Sequence, residues 1–221
     1  GLKMDRRLRL AVVTETYPPE VNGVSLSLAK LLEGLDRMCD VHLVRVSRHD
    51  LDAPMTHEIR VAGFPIPGYS ALRGGLPAWL ALRSAWLLLR PDLVHIATEG
   101  PLGLSALQVA RWMKIPVCSD FRTHFEQYVD HYKLAWLEPV ASRYLRYFHN
   151  RCDLNFVPTE MLASQLKAQG FDRLTVVPRG VDLRLFGPGH RDEALRASWL
   201  GSGAQQEGRQ KPAILLCVSR M

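Results

Sequence analysis

The chain has 221 residues, 47% hydrophobic and 23% charged, an ordinary globular composition that is long enough for one large domain or two small ones. The 28 Lys and Arg against 22 Asp and Glu leave a formal charge of +6, mixed along the sequence rather than gathered in runs. This mixing argues against a dedicated nucleic-acid arm and leaves open a basic surface for phosphates or anionic lipid.

Short apolar runs rich in β-branched residues alternate with longer segments of helical period. LRLAVVT (8–14) precedes the helical GVSLSLAKLLEGL (23–35), and DVHLVRV (40–46) and EIRVAGF (58–64) read as strands. Helical AWLALRSAWLLLR (78–90) is followed by DLVHIA (92–97), GLSALQVARWMK (103–114) and IPVCSDF (115–121). LEPVASRYLRYFHNR (137–151), DLNFVP (153–158), MLASQLKAQG (161–170) and LTVVP (174–178) continue the alternation. Strands apolar on both faces and separated by helices predict an α/β fold, a doubly wound and mainly parallel sheet of about seven strands.

After Pro178 the texture changes. PRGVDLRLFGPGH is rich in Gly, Pro and Arg, EALRASWL is briefly helical, GSGAQQEGRQK is polar, and PAILLCVSRM is again strand-like. An N-terminal domain is expected over 4–190, with 191–221 as a linker and the first strand of a second domain that the chain does not complete. An apolar AILLCV without a sheet of its own is expected to add to an edge of its own domain or of a second copy. Gly1 to Lys3, ahead of Met4, read as an expression remnant.

Cys39, Cys118, Cys152 and Cys217 stand singly, with no CxxC pair and no His cluster at metal spacing. They read as small buried hydrophobes in a reducing compartment. No stretch resembles a signal peptide or reaches the roughly 20 apolar residues that span a bilayer, so a cytoplasmic location is expected.

In open α/β sheets ligands meet the carboxyl ends of the strands, and three such ends carry unusual residues here. In TETYPPEVNGVSLSL (14–28), Pro18 and Pro19 keep the chain out of a helix, and Gly23 lets backbone approach a ligand where a Cβ would obstruct. The same spacing also suits a plain turn glycine. ATEGPLG (97–103) offers a second candidate phosphate or hydroxyl cradle at Gly100 and Gly103, and SDFRTHFEQYVDHY (119–132) gathers Asp120, Arg122, Thr123, His124, Glu126, Gln127 and Tyr128. Simpler readings are a helix-terminal charge for Glu99, a solvated loop residue for His131, a core histidine for His95 and a helix N-cap for Thr159. The chain has no GxGxxG and no GxxxxGK[ST], which counts against dinucleotide oxidoreductases and P-loop enzymes.

Taken in series, ETYPPEVNGVS, PDLVHIATEGPLG, SDFRTHFEQY, FVPTEM and VVPRGVDLRLF resemble the N-terminal half of a GT-B glycosyltransferase of family 4, the retaining group. The resemblance covers about residues 8 to 190. It implies transfer of a sugar from a UDP-, GDP- or ADP-sugar to an acceptor hydroxyl on a glycan or lipid, with no cofactor and no metal. Asn22, Gly23 and Val24 would then face the donor diphosphate. Arg122 and His124 would be the catalytic candidates, with Glu15, Thr98, Glu99, Gly100, Thr123 and Tyr128 binding substrate. The family binds most of the nucleotide through a C-terminal domain, of which VSRM (218–221) would be the first strand, so this chain alone is expected to be inactive. GGLPAWLALRSAWLLLRP (74–91) with Arg73, Arg83 and Arg90 suggests a membrane-surface acceptor and a peripheral place on the inner membrane face. The alternatives are a GT-B nucleotide-sugar epimerase or hydrolase, which needs carboxylates and histidines clustered at the cleft, and a stand-alone sugar or phosphate binding module.

Overall fold

The computed structural model describes residues 7–15, 23–35, 37–46, 58–61, 63–66, 69–75, 78–121, 138–178 and 194. The first strand, β1 (Arg9–Thr14), shows how the sheet is covered. Leu10 and Val12 pack with Leu28 and Leu32 of α1 (Gly23–Leu35), while Ala11 and Val13 join a larger core on the opposite face. The two-residue period of a strand sends its apolar side chains to both sides, so a helix layer is needed on each.

The chain continues through β2 (Asp40–Val46), β3 (Glu58–Val61), β4 (Gly63–Ile66), β5 (Tyr69–Gly75) and α2 (Trp79–Leu88). Next come β6 (Leu93–Ile96), α3 (Pro101–Trp112), β7 (Val117–Asp120) and α4 (Glu138–Asn150). β8 (Leu154–Val157), α5 (Glu160–Ala168) and β9 (Leu174–Val176) complete the described elements. Seven strands form one sheet in the order β3-β2-β1-β6-β7-β8-β9, with every neighbouring pair parallel. The expected doubly wound α/β sheet is therefore present. Its order reverses between β1 and β6, where α1 and α3 pack on opposite faces, the switch point beside which open α/β sheets bind their ligands.

A two-stranded antiparallel ladder of β4 and β5, with an irregularity between Pro65 and Ile66, lies outside this sheet. It corrects the reading of EIRVAGF as one strand: β3 ends at Val61 and a separate strand starts at Gly63. Pro65 has no N–H to donate, so the run cannot continue as an inner strand.

The larger core takes Leu82 and Trp86 from α2, Leu102, Ala106, Leu107 and Ala110 from α3, and Phe148 from α4. A third cluster joins Phe121 and Val157 to Leu166 and Phe171. Helix ends follow local chemistry. Thr159 caps α5 by accepting from Leu162 N–H at 3.2 Å, as its sequence predicts, and Gly170 closes that helix at φ 91°. Cys118 and Cys152 are buried free thiols pushed up to about 12, chiefly by burial, and Cys39 is half-buried. The elements through Pro178 form one compact unit, and residues 179–221 form a second, of which Ala194 alone is described. The expected strand AILLCV lies outside the described residues.

Candidate functional site

Where β1 ends, Glu15 is buried, and its backbone N–H donates to Thr98 Oγ1 at 2.9 Å, tying the first strand end to the segment after β6. Its carboxylate turns toward the start of α3, where Oε1 lies 3.4 Å from the Gly103 N–H. The N-cap of α3 is Gly100, which has no side chain to satisfy the helix's first donors, and Pro101 follows it. Glu15 supplies the negative charge from a distant strand. The packing is close: a Cβ at Gly100 would stand 2.0 Å from Glu15 Oε1, and one at Gly103 would stand 2.0 Å from the Thr98 carbonyl oxygen. The α3 terminus, expected to cradle a phosphate or hydroxyl, is thus met by a carboxylate of the chain itself.

Glu99 faces the other way. Its Oε1 lies 3.1 Å from His149 Nε2, and its backbone carbonyl accepts from the Tyr144 hydroxyl. On the far side of the ring, His149 Nδ1 is 2.6 Å from Ser119 Oγ and 3.2 Å from Asn155 Oδ1, and Ser119 donates its hydroxyl hydrogen to Asn155. Ser119 and Asn155 are direct neighbours across the β7–β8 pair, which aligns their side chains on one face. Asn155 Nδ2 donates to the carbonyls of His149 at 3.0 Å and Asp172 at 2.9 Å. Phe121 stacks on the His149 ring with centroids 3.9 Å apart. Burial, then the Glu15 and Glu99 carboxylates, push the Tyr144 phenol well above its usual range.

Glu99, His149 and Ser119 are the residue types of a hydrolytic triad, but this chain does different work. Ser119, His149 and Asn155 are all 0% exposed, and the serine hydrogen is committed to an amide oxygen, so no substrate meets a nucleophile there. The arrangement is a satisfied polar network that ties α4, β7 and β8 to the segment before α3. On the opposite sheet face, His95 is buried with Nδ1 3.1 Å from Cys118 Sγ and Nε2 3.9 Å from Asp120 Oδ2.

Of the residues singled out from the sequence, Glu15, Thr98, Glu99 and Gly100 come together at this edge, and Gly23 and Val24 open α1. Asn22, Arg122, Thr123, His124, Tyr128 and His131 lie outside the described residues. His149, Ser119, Asn155 and Tyr144 were missed. Their signal in the sequence is faint: polar residues at positions that the apolar period assigns to the interior.

A different surface is formed by α2. Leu82 and Trp86 face the core, whereas Leu80, Leu87 and Leu88 are exposed, at 77%, 58% and 84%. Trp112 of α3 is also exposed, and the Arg83 guanidinium lies 4.7 Å from its ring centroid. Among the described residues no helix is long and apolar enough to cross a membrane.

The sequence matches Glycosyltransferase Family 4 over residues 21–185. GDP-mannose-dependent alpha-mannosyltransferases of Corynebacterium glutamicum and Mycobacterium tuberculosis are 31% and 32% identical to it over 93% and 89% of its length. The chain spans about half the length of these relatives, 51% and 53%. Among solved structures, sucrose-phosphate synthase of Thermosynechococcus elongatus shares the fold with a TM-score of 0.57 and 14% identity, over 90% of this chain and 54% of that one. A match over residues 21–185, on a parallel sheet reversed between β1 and β6, settles the family: the chain belongs to Glycosyltransferase Family 4.

Proposed function

We propose that this chain forms the acceptor-side wall of an enzyme that transfers a sugar from a nucleoside diphosphate sugar to an acceptor hydroxyl. GDP-mannose is the first donor to try. The observation that carries this reading is the 31% identity to a GDP-mannose-dependent alpha-mannosyltransferase across 93% of the chain. On this reading Asn22, Gly23 and Val24 receive the diphosphate at the start of α1, where backbone N–H groups and the helix dipole favour negative charge. Arg122 and His124 act beside the transferred sugar, and Thr123 and Tyr128 contact donor sugar or acceptor. Stabilising charge on the departing diphosphate lowers the barrier, and transfer proceeds with retention. A second domain supplies most of the nucleotide contacts, so this chain by itself turns nothing over.

The exposed leucines of α2, with Trp112 and Arg83 beside them, support an acceptor at an anionic membrane surface and a peripheral position on its cytoplasmic side. The reaction as proposed calls on no cofactor and no divalent metal.

The test incubates a protein carrying the whole natural reading frame with UDP-, GDP- and ADP-sugars and measures nucleotide release and the anomeric configuration of the product. Release from none of them would overturn the reading. Loss of activity in EDTA would overturn the metal-free part and turn attention to Asp50 and Asp52, an Asp-x-Asp outside the described residues. Sedimentation with anionic vesicles tests the membrane acceptor: no binding at low salt removes it. The buried carboxylates Glu15 and Glu99 beyond the ends of β1 and β6, with His95 beside Asp120 on the opposite sheet face, favour a second reading, a nucleotide-sugar epimerase. Epimer formation without an acceptor would establish it.

A further inference from the structure

The Asn155 amide fixes the hydrogen-bond directions of its neighbours. Both carbonyls beside its Nδ2, those of His149 and Asp172, accept only, so the NH2 must face them and Oδ1 must face Ser119 and His149. Oδ1 also accepts only, and it takes the Ser119 hydroxyl hydrogen. Ser119 Oγ then has lone pairs alone to offer His149 Nδ1 at 2.6 Å, so Nδ1 must carry hydrogen. At the other nitrogen, one hydrogen has to lie between Nε2 and Glu99 Oε1, 3.1 Å apart, or two lone pairs would face each other. A carboxylate oxygen is a strong acceptor for a ring N–H at this distance, which assigns the hydrogen to Nε2.

We infer that His149 is a positioning residue of the cleft, donating from both ring nitrogens and thereby fixing Glu99 and the segment 97–100. The inference rests on the proposed function in placing that segment beside a reacting sugar. The ring is braced on every side: Phe121 stacks at 3.9 Å, the Phe148 ring lies edge-on at 5.1 Å, and Ser119 and Asn155 close the Nδ1 side. With the Glu99 carbonyl held by Tyr144 and its carboxylate held by His149, the residue is anchored at both ends. Gly100 and α3 follow directly, and Glu15 packs against them. A shift of Glu99 would therefore move the wall from two strand ends at once. Displacements of this size matter because transfer requires reacting atoms to be held at near-contact geometry.

The first measurement is the ¹⁵N spectrum of the histidine rings in the full-length protein at neutral pH, with His149 assigned by His149→Gln among the eight histidines of this chain. Two protonated ring nitrogens at His149 are expected, with one lost in Glu99→Gln; a bare Nε2 or Nδ1 in the wild type would overturn the inference. The second is kinetic. His149→Gln and His149→Phe should lower kcat/KM for sugar transfer tenfold or more and speed amide exchange across 97–103, beyond what their loss of thermal stability explains. Kinetics within twofold of wild type, whatever the Tm, would make His149 merely structural and overturn the positioning role. If the wild type releases nucleotide from no sugar donor, the proposed function fails, while the ring spectrum and amide exchange still decide whether His149 holds this segment.

Discussion

Phe148 and His149 are adjacent in α4 and both 0% exposed, yet they belong to different interiors. Phe148 lies among Val94, Ile96 and the apolar faces of α2 and α3, where contacts are many and undirected. His149, one step around the helix, meets Glu99, Ser119 and Asn155 through hydrogen bonds that each require one orientation. Depth does not separate them; direction does. The apolar interior tolerates exchange of one hydrocarbon shape for another, whereas the polar edge tolerates none that leaves a donor or acceptor unmatched.

The comparison can be broken or sharpened experimentally. The largest effect is expected in the apolar interior: Phe148→Ala should cost about 3–5 kcal/mol in urea denaturation, enough to unfold a marginal domain. A loss below about 1 kcal/mol would mean that the core around Phe148 is not close-packed. Gly100→Ala should cost about 1–3 kcal/mol, because the new methyl meets the Glu15 carboxylate. Combining it with Glu15→Ala should recover part of that loss, and strict additivity of the two would show that the contact does not exist. Thr159→Ala should cost about 1 kcal/mol through loss of the α5 cap, with no change in nucleotide release.

The buried thiols give a pH test of the same contrast. Cys118 and Cys152 are held neutral in the fold up to about 12, above the ordinary thiol range. The folded state therefore binds protons that the unfolded state releases, so stability is fully present below about pH 9 and falls as pH rises toward 12. Melting across that range should show the decline, and Cys118→Ala with Cys152→Ala should flatten it. At neutral pH both thiols should react with disulfide reagents far more slowly than half-buried Cys39.

The inner strands β1, β6 and β7 were legible because each is a compact apolar run bounded by polar residues, and a strand buried on both faces has no other composition open to it. The β4–β5 ladder was not. FPIPGYSALRGG reads as turn chemistry, and its pairing depends on backbone groups that any sequence possesses. Thr159 was legible as a cap because its partner is three residues away. Glu99 and Gly100 drew attention at a strand end, but their partners could not be read: His149 lies 50 residues on, and Glu15 well upstream of β6. Local periodicity reports what a residue's own element needs, and the network is made between elements.

Those same separations bear on the order in which the molecule comes together. Glu15 and Thr98 are 83 residues apart and Glu99 and His149 are 50 apart, so during synthesis the first strand emerges long before the groups that will match its terminal carboxylate region. The network joins β6, β7 and α4, so it is expected to close only after they dock, when much of the chain entropy has already been lost. Substitutions within it should then act mainly on the unfolding limb of a chevron, shortening the lifetime of the native domain while leaving its rate of formation almost untouched. On that order the polar edge would act as a latch, engaged late in folding and released early when the domain opens.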